Sequence, residues 1–197
     1  MQKLNLPTYN FKLKNSQNKT LIFDKLRKKY VVLTPEEWVR QHFVHFLIDQ
    51  KKYPETLIAI EKQLTINNLK KRTDILIFNS DGKPEVVIEC KAPSIKISQK
   101  TFDQIARYNM TLKTDLLVVT NGIQHYICIM DHQNKRYHFL KEIPKATFLG
   151  WPIIKSIGGK CVDDYLTKDE KYVISKEDRH PNAKGHIQIA KHLHELL

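Results

Sequence analysis

The chain has 197 residues, enough for one domain with an appendage, and 41% of them are hydrophobic, which excludes wholesale disorder. Its 33 Lys and Arg against 21 Asp and Glu give a formal net charge of +12, which points to a polyanionic partner. No apolar run reaches the length of a membrane span, the opening residues lack an apolar signal core, and three scattered cysteines (Cys90, Cys128, Cys161) suit a reducing compartment; the expected location is the cytoplasm.

Residues 1–33 hold eight Lys or Arg against Asp24 alone and so supply +7 of the +12. Loose alternation there predicts short strands over Tyr9–Leu13 and Tyr30–Leu33, in a basic extension that packs on the main body. Thr34-Pro35-Glu36-Glu37 is a helix start: a threonine N-cap, proline in the first turn, and Glu37 placed for a capping box. Trp38, Val39, Phe43, Phe46 and Leu47 continue at helical spacing to about Lys51, where Tyr53-Pro54 stops the helix. Leu57–Leu64 alternates as a strand, with Ile58 and Ile60 on one side.

The next stretch, Arg72 to Lys91, reads as two apolar β-runs joined by a turn at Asn79-Ser80-Asp81-Gly82. Asp74 opens the first run, Ile75–Phe78, and Glu89 and Lys91 close the second, projecting from one side while Cys90 faces the other. Two carboxylates brought to one end of a sheet offer hard oxygen ligands for Mg²⁺, and a neighbouring lysine can orient water or neutralise phosphate charge. Taken alone, the same residues also read as a hairpin with solvated charges at its ends. Lys70, Lys71 and Arg72 add positive charge beside it, as a nucleic-acid contact would require.

Ala92-Pro93 ends that strand, and a second helix is expected over Thr101–Leu112, capped by Ser98 or Thr101. Gln104 and Tyr108, four apart, share one of its faces. Leu116–Thr120 is a buried strand, Asn121-Gly122 a tight turn, His125–Met130 its return, and Tyr137–Leu140 one strand more. The order is helix, three strands, helix, strands, a mixed α/β layer.

Asp74, the Glu89-Cys90-Lys91 triplet and the Gln104/Tyr108 pair, in this order and spacing, resemble the PD-(D/E)xK nucleases, and more narrowly the N-terminal domain of type I restriction enzyme R subunits. The segments Thr34–Gln41 and Leu117–Gly122 resemble the same group, over roughly residues 30–143. The resemblance implies a restriction-endonuclease-like αβββαβ core with a mixed central sheet over residues 34–146, acting as a Mg²⁺-dependent (or Mn²⁺-dependent) nuclease on DNA, most naturally double-stranded. It implies Asp74, Glu89 and the Cys90 carbonyl as metal ligands, and Lys91 as the residue that orients or activates water. Gln104 and Tyr108 would steady the site or the DNA backbone, and Glu37 or Glu36 would assist from the first helix. Restriction-system subunits or another targeting protein are the implied partners. Thr73 stands where the motif name has proline, and no G-x-x-x-x-G-K run occurs, so an ATP-driven motor is not expected from these residues. The alternative within the same fold is a nucleic-acid-binding module that no longer cuts.

Residues 147–197 differ in character, a loop-and-helix appendage. Glu177 to His186 followed by a terminal helix resembles the last block of SGNH (GDSL-type) hydrolases, which implies Asp178 and His180 in triad roles. No serine block accompanies them, and some fifty residues are too few for that fold's sheet, so a serine esterase is disfavoured and the segment reads as a catalytically silent fragment. Its histidines (His180, His186, His192, His194) match no standard metal spacing.

Overall fold

The computed structural model describes residues 1–66, 69–110, 112–134 and 136–146; the SGNH-like segment with Asp178 and His180, and Cys161, lie outside them. Eleven strands and two α-helices occur among the described residues. Six strands form the central sheet in the order β11-β10-β9-β8-β7-β4: β4 Ile58–Ile60, β7 Ile75–Phe78, β8 Pro84–Cys90, β9 Leu116–Thr120, β10 His125–Asp131 and β11 Arg136–Leu140. Every neighbour pair is antiparallel except β8 with β9. A parallel pair needs a crossover, and α2 (Gln99–Met110) supplies it.

The sheet is buried on both faces because both rows of its side chains are apolar. Ile75, Ile88, Val118, Ile127 and Leu140 are paired across the strands and share one face; Leu76, Val87, Leu117, Cys128 and Phe139 share the other. Helix α1 (Pro35–Asp49) covers the first face, with the Phe43 ring 5.7 Å from His125. Helix α2 covers the second, with Phe102 packed against Tyr137 and Phe139 at 5.2 and 5.1 Å. Cys90 and Cys128 are buried free thiols. No helix among the described residues is long and apolar enough to cross a membrane.

Thr34 caps α1 as its sequence demands, its hydroxyl accepting from Glu37 N at 3.0 Å. The reciprocal half of the capping box is not made. Glu37 is drawn instead to Arg27, Arg40 and Gln41, because a charged guanidinium is a stronger donor than a backbone amide. Ser98 caps α2, which begins at Gln99, two residues earlier than expected.

The expected strand Leu57–Leu64 is interrupted. A 3₁₀ turn occupies Glu55–Leu57, β4 stops at Ile60, and Glu61 takes a positive φ of 51°. A separate hairpin follows, β5 Gln63–Ile66 with β6 Leu69–Arg72. The left-handed residue is a glutamate, which carries no sequence signal for that conformation.

The N-terminal segment is a three-stranded antiparallel sheet, β1 Leu13–Ser16, β2 Lys19–Asp24 and β3 Lys29–Val32; the expected strand Tyr30–Leu33 lies in β3 as far as Val32, whereas of Tyr9–Leu13 only Leu13 is in a strand. Gln17 and Asn18, with φ of 50° and 58°, form the two-residue turn between the first two, whose twist matches that of the strands. Ahead of it Leu4 is buried in the main core, and Asn5 bonds the β9–β10 loop through N–H to Gly122 O and Nδ2 to Ile123 O, both 2.7 Å. That loop spans Asn121 to Gln124, longer than a two-residue turn, and the Asn121 side chain bridges it by accepting from Ile123 N and Gln124 N.

Candidate active site

The turn Asn79–Gly82 closes the β7–β8 hairpin, with Asn79 Oδ1 accepting from Asp81 N and Lys83 N and Gly82 at φ +74°. The register Ile75↔Ile88 sets Asp74 one step beyond, opposite Glu89. Asp74 lies at the sheet end, where its Oδ2 accepts the Cys90 amide at 2.8 Å and its Oδ1 accepts from Arg40 Nη2 at 2.8 Å. Glu89 is 8% exposed on the α2 side of β8. Lys91 continues the strand, its N–H donating to Thr120 O at 2.8 Å. Thr73 is buried, with N–H and hydroxyl both directed at Lys62 O; a proline there would lose the amide bond.

Electrostatics show which charges converge on this end of β8. Burial pushes the Cys90 thiol well above its ordinary range, Asp74 raises it further, Arg40 opposes, and Glu89 and Glu36 add to the rise. Burial also raises the Glu36 carboxyl, as does the charge on Asp74, while Lys91 and Arg40 pull it down. Glu36 therefore feels Asp74, Lys91 and Arg40, and Cys90 feels Asp74, Arg40, Glu89 and Glu36. Burial works against the charge on Arg40, but Asp74 and Glu37 outweigh it and raise its pKa.

The two glutamates of α1 divide sharply. Glu37 has a side chain 7% exposed and fixed by Arg27 Nη2, Gln41 Nε2 and Arg40 Nη1. Glu36, 42% exposed, is the one that shares a field with Asp74 and Lys91. Arg40 sits among them, 5% exposed, 3.4 Å from Glu36 and 3.6 Å from Glu61. It was not a sequence candidate. Its spacing of three and four from the glutamates was the available signal, since such neighbours meet on a helix.

Gln104 lies exposed on α2, whose Phe102 and Ala106 face the sheet. The side chains of Tyr108 and Lys71 fall outside the described residues. Lys70 is exposed, and Arg72 is exposed and 3.1 Å from Glu61. No group of three or more His, Cys, Asp or Glu side chains forms a ready metal cluster among the described residues. Two carboxylates nevertheless suit Mg²⁺, which keeps several waters and takes one or two carboxylate ligands.

A mixed six-stranded sheet between two helices, with an acidic hairpin end, defines a restriction-endonuclease-like α+β fold. Residues 35–144, more than half of the chain, match the family of type I restriction enzyme R protein N termini, and the chain belongs to that family. Among solved structures it is similar to a fragment of a candidate HsdR subunit of a type I restriction enzyme from Vibrio vulnificus YJ016, at 19% identity and a TM-score of 0.44. The match covers 58% of this chain and 24% of that one, about a quarter of its length. It is also similar to a candidate nuclease of the DUF820 group from Anabaena variabilis ATCC 29413, at 12% identity and a TM-score of 0.38, covering 66% and 80% of the two chains. Likeness at this level says nothing of residue roles. No curated protein matches the chain.

Proposed function

We propose that the chain is a Mg²⁺-dependent, restriction-type nuclease that hydrolyses DNA phosphodiester bonds. The observation that carries the reading is the β7–β8 register, which sets Asp74 opposite Glu89 with Asp74 Oδ2 on the Cys90 amide, within the region that matches the restriction-enzyme family. Asp74 and Glu89, with the Cys90 carbonyl, would hold the cation. Bound there, it would neutralise phosphate charge and acidify a water. The Lys91 ammonium would orient the attacking water and stabilise charge on the phosphate. Glu36, open to solvent with a raised pKa, is suited to exchange a proton with that water. Glu37 acts at a remove, by fixing Arg40. Gln104 and Tyr108 on α2 and the basic hairpin Lys70-Lys71-Arg72 would contact the DNA backbone, and other restriction-system subunits would supply targeting.

The competing reading, a binding module that no longer cuts, is favoured by one observation: a guanidinium already pairs with Asp74 Oδ1. Plasmid incubated with protein and Mg²⁺ or Mn²⁺, beside Asp74→Ala and Lys91→Ala, decides between them. Metal-dependent nicking or linearisation lost in both variants is the expected result. DNA binding by the wild type with no cutting under either metal would establish the module.

A further inference from the structure

The N-terminal sheet lies outside the family-matched region, and its two faces differ in kind. On the inner face Ile22 and Asp24 are buried, and Asp24, the only acid of residues 1–33, is held by Arg27 and Gln41. The register sets Lys12, Lys14, Leu21, Phe23, Tyr30 and Val32 on the outer face, through the pairs Lys14↔Leu21, Leu21↔Val32 and Phe23↔Tyr30 and the bond from Phe23 N to Lys12 O. Tyr30 and Val32 are 36% and 45% exposed, two of five large hydrophobic residues left open on the described surface. Phe23 and Tyr30 meet edge to face at 5.2 Å, and a lysine lies over each ring: Lys14 Nζ 4.2 Å from the Tyr30 centroid, Lys12 Nζ 5.9 Å from that of Phe23. Among the described residues neither lysine forms a salt bridge.

We propose that this outer face is a docking platform for single-stranded DNA, separate from the candidate active site. Cationic side chains around the exposed Tyr30 ring and the half-buried Phe23 ring on an open sheet match both things an unpaired strand offers, phosphates and base faces. A duplex offers the phosphates but keeps its bases stacked internally, leaving Tyr30 and Val32 without partners. A base stacked on a ring is held more strongly than an exposed cation–π contact holds a lysine. Lys14 can therefore swing from Tyr30 to a phosphate when a base takes the ring face. The inference rests on the nucleic-acid reading above, but not on cleavage.

Fluorescence anisotropy with the full chain in EDTA tests it, using a labelled mixed-sequence oligonucleotide, the same oligonucleotide as a duplex, and phosphatidylserine vesicles as a competing polyanion. The wild type should bind the single strand more tightly than the duplex. Lys12→Gln/Lys14→Gln should weaken single-strand binding about tenfold and lower the slope of log K against log salt by about 1.4, from roughly 0.7 for each phosphate no longer neutralised. Tyr30→Ala should weaken it about fivefold with the slope unchanged. A charge-matched control, Lys52→Gln/Lys83→Gln, should bind as the wild type does. The platform is overturned if the Lys12/Lys14 and Tyr30 variants bind as the wild type, if the duplex is preferred and indifferent to Tyr30→Ala, or if vesicles are bound and DNA is not. Cutting by the wild type with platform variants that bind normally sinks the platform alone. Neither binding nor cutting sinks the nucleic-acid reading with it.

Discussion

Replacing Arg40 by methionine keeps the stem of the side chain and removes its charge. In the folded protein that guanidinium serves Glu37, Asp74 Oδ1 at 2.8 Å and Glu36 at 3.4 Å, while 95% shielded from solvent. Breaking a buried pair from one side costs about 3–5 kcal/mol, because the partner is left charged and desolvated. Here the orphaned acids are only partly stranded: Glu37 keeps Arg27 and Gln41, and Asp74 keeps the Cys90 amide. The lower end applies, about 3 kcal/mol, or a fall in Tm of about 6–12 °C for a chain of this size. Urea unfolding at pH 7 measures it. Asp74→Asn in the same background should recover part of the loss, a coupling of about 1 kcal/mol or more between contacting residues. An Arg40→Met protein within about 0.5 kcal/mol of wild type, with strictly additive Asp74→Asn, would refute the view that this arginine organises the site.

Acid should weaken the fold through His125, whose burial drives its pKa down from 6.5 to about 4. Unfolded His125 binds a proton in that window and folded His125 does not, so stability falls as pH drops from about 6.5 to about 4, by roughly 3 kcal/mol. Burial lowers His42 and His45 as well, adding in the same direction, whereas Glu36 and Glu85, raised by burial, titrate with the opposite sign. The comparison of urea midpoints at pH 7 and pH 4.5 is therefore made against His125→Gln, which should show a flatter profile. Gly122→Ala would place a Cβ 2.8 Å from Leu4 Cδ2 and 3.0 Å from Val39 Cγ2, at a φ of +79°. It should cost about 1–3 kcal/mol and loosen the N-terminal segment, read as faster limited proteolysis before Leu13. Thr34→Ala removes the α1 cap and should cost about 1 kcal/mol, a fall of about 2–4 °C in Tm. Saturating Mg²⁺ should raise the Tm of the wild type by several degrees and that of Asp74→Asn by less; equal shifts would place the cation elsewhere.

The amino-acid order alone settled whatever depends on neighbours along the chain. Ile75–Phe78 and Leu116–Thr120 announce themselves as strands because both faces are apolar, Thr34-Pro35 begins a helix because capping is a local bond, and the alternation through Glu89-Cys90-Lys91 assigns their sides. What the sequence could not supply was every feature made by partners distant in the chain. Arg40 reaches Asp74 across 34 positions, the Glu37 carboxylate turns to Arg27 instead of back to the Thr34 amide, and Glu61 breaks a strand by turning left-handed to sit among arginines. Charges are long-ranged in space and silent in sequence, so only the folded chain decided that Glu37 is buried among Arg27, Arg40 and Gln41 while Glu36 stays open to solvent beside Arg40.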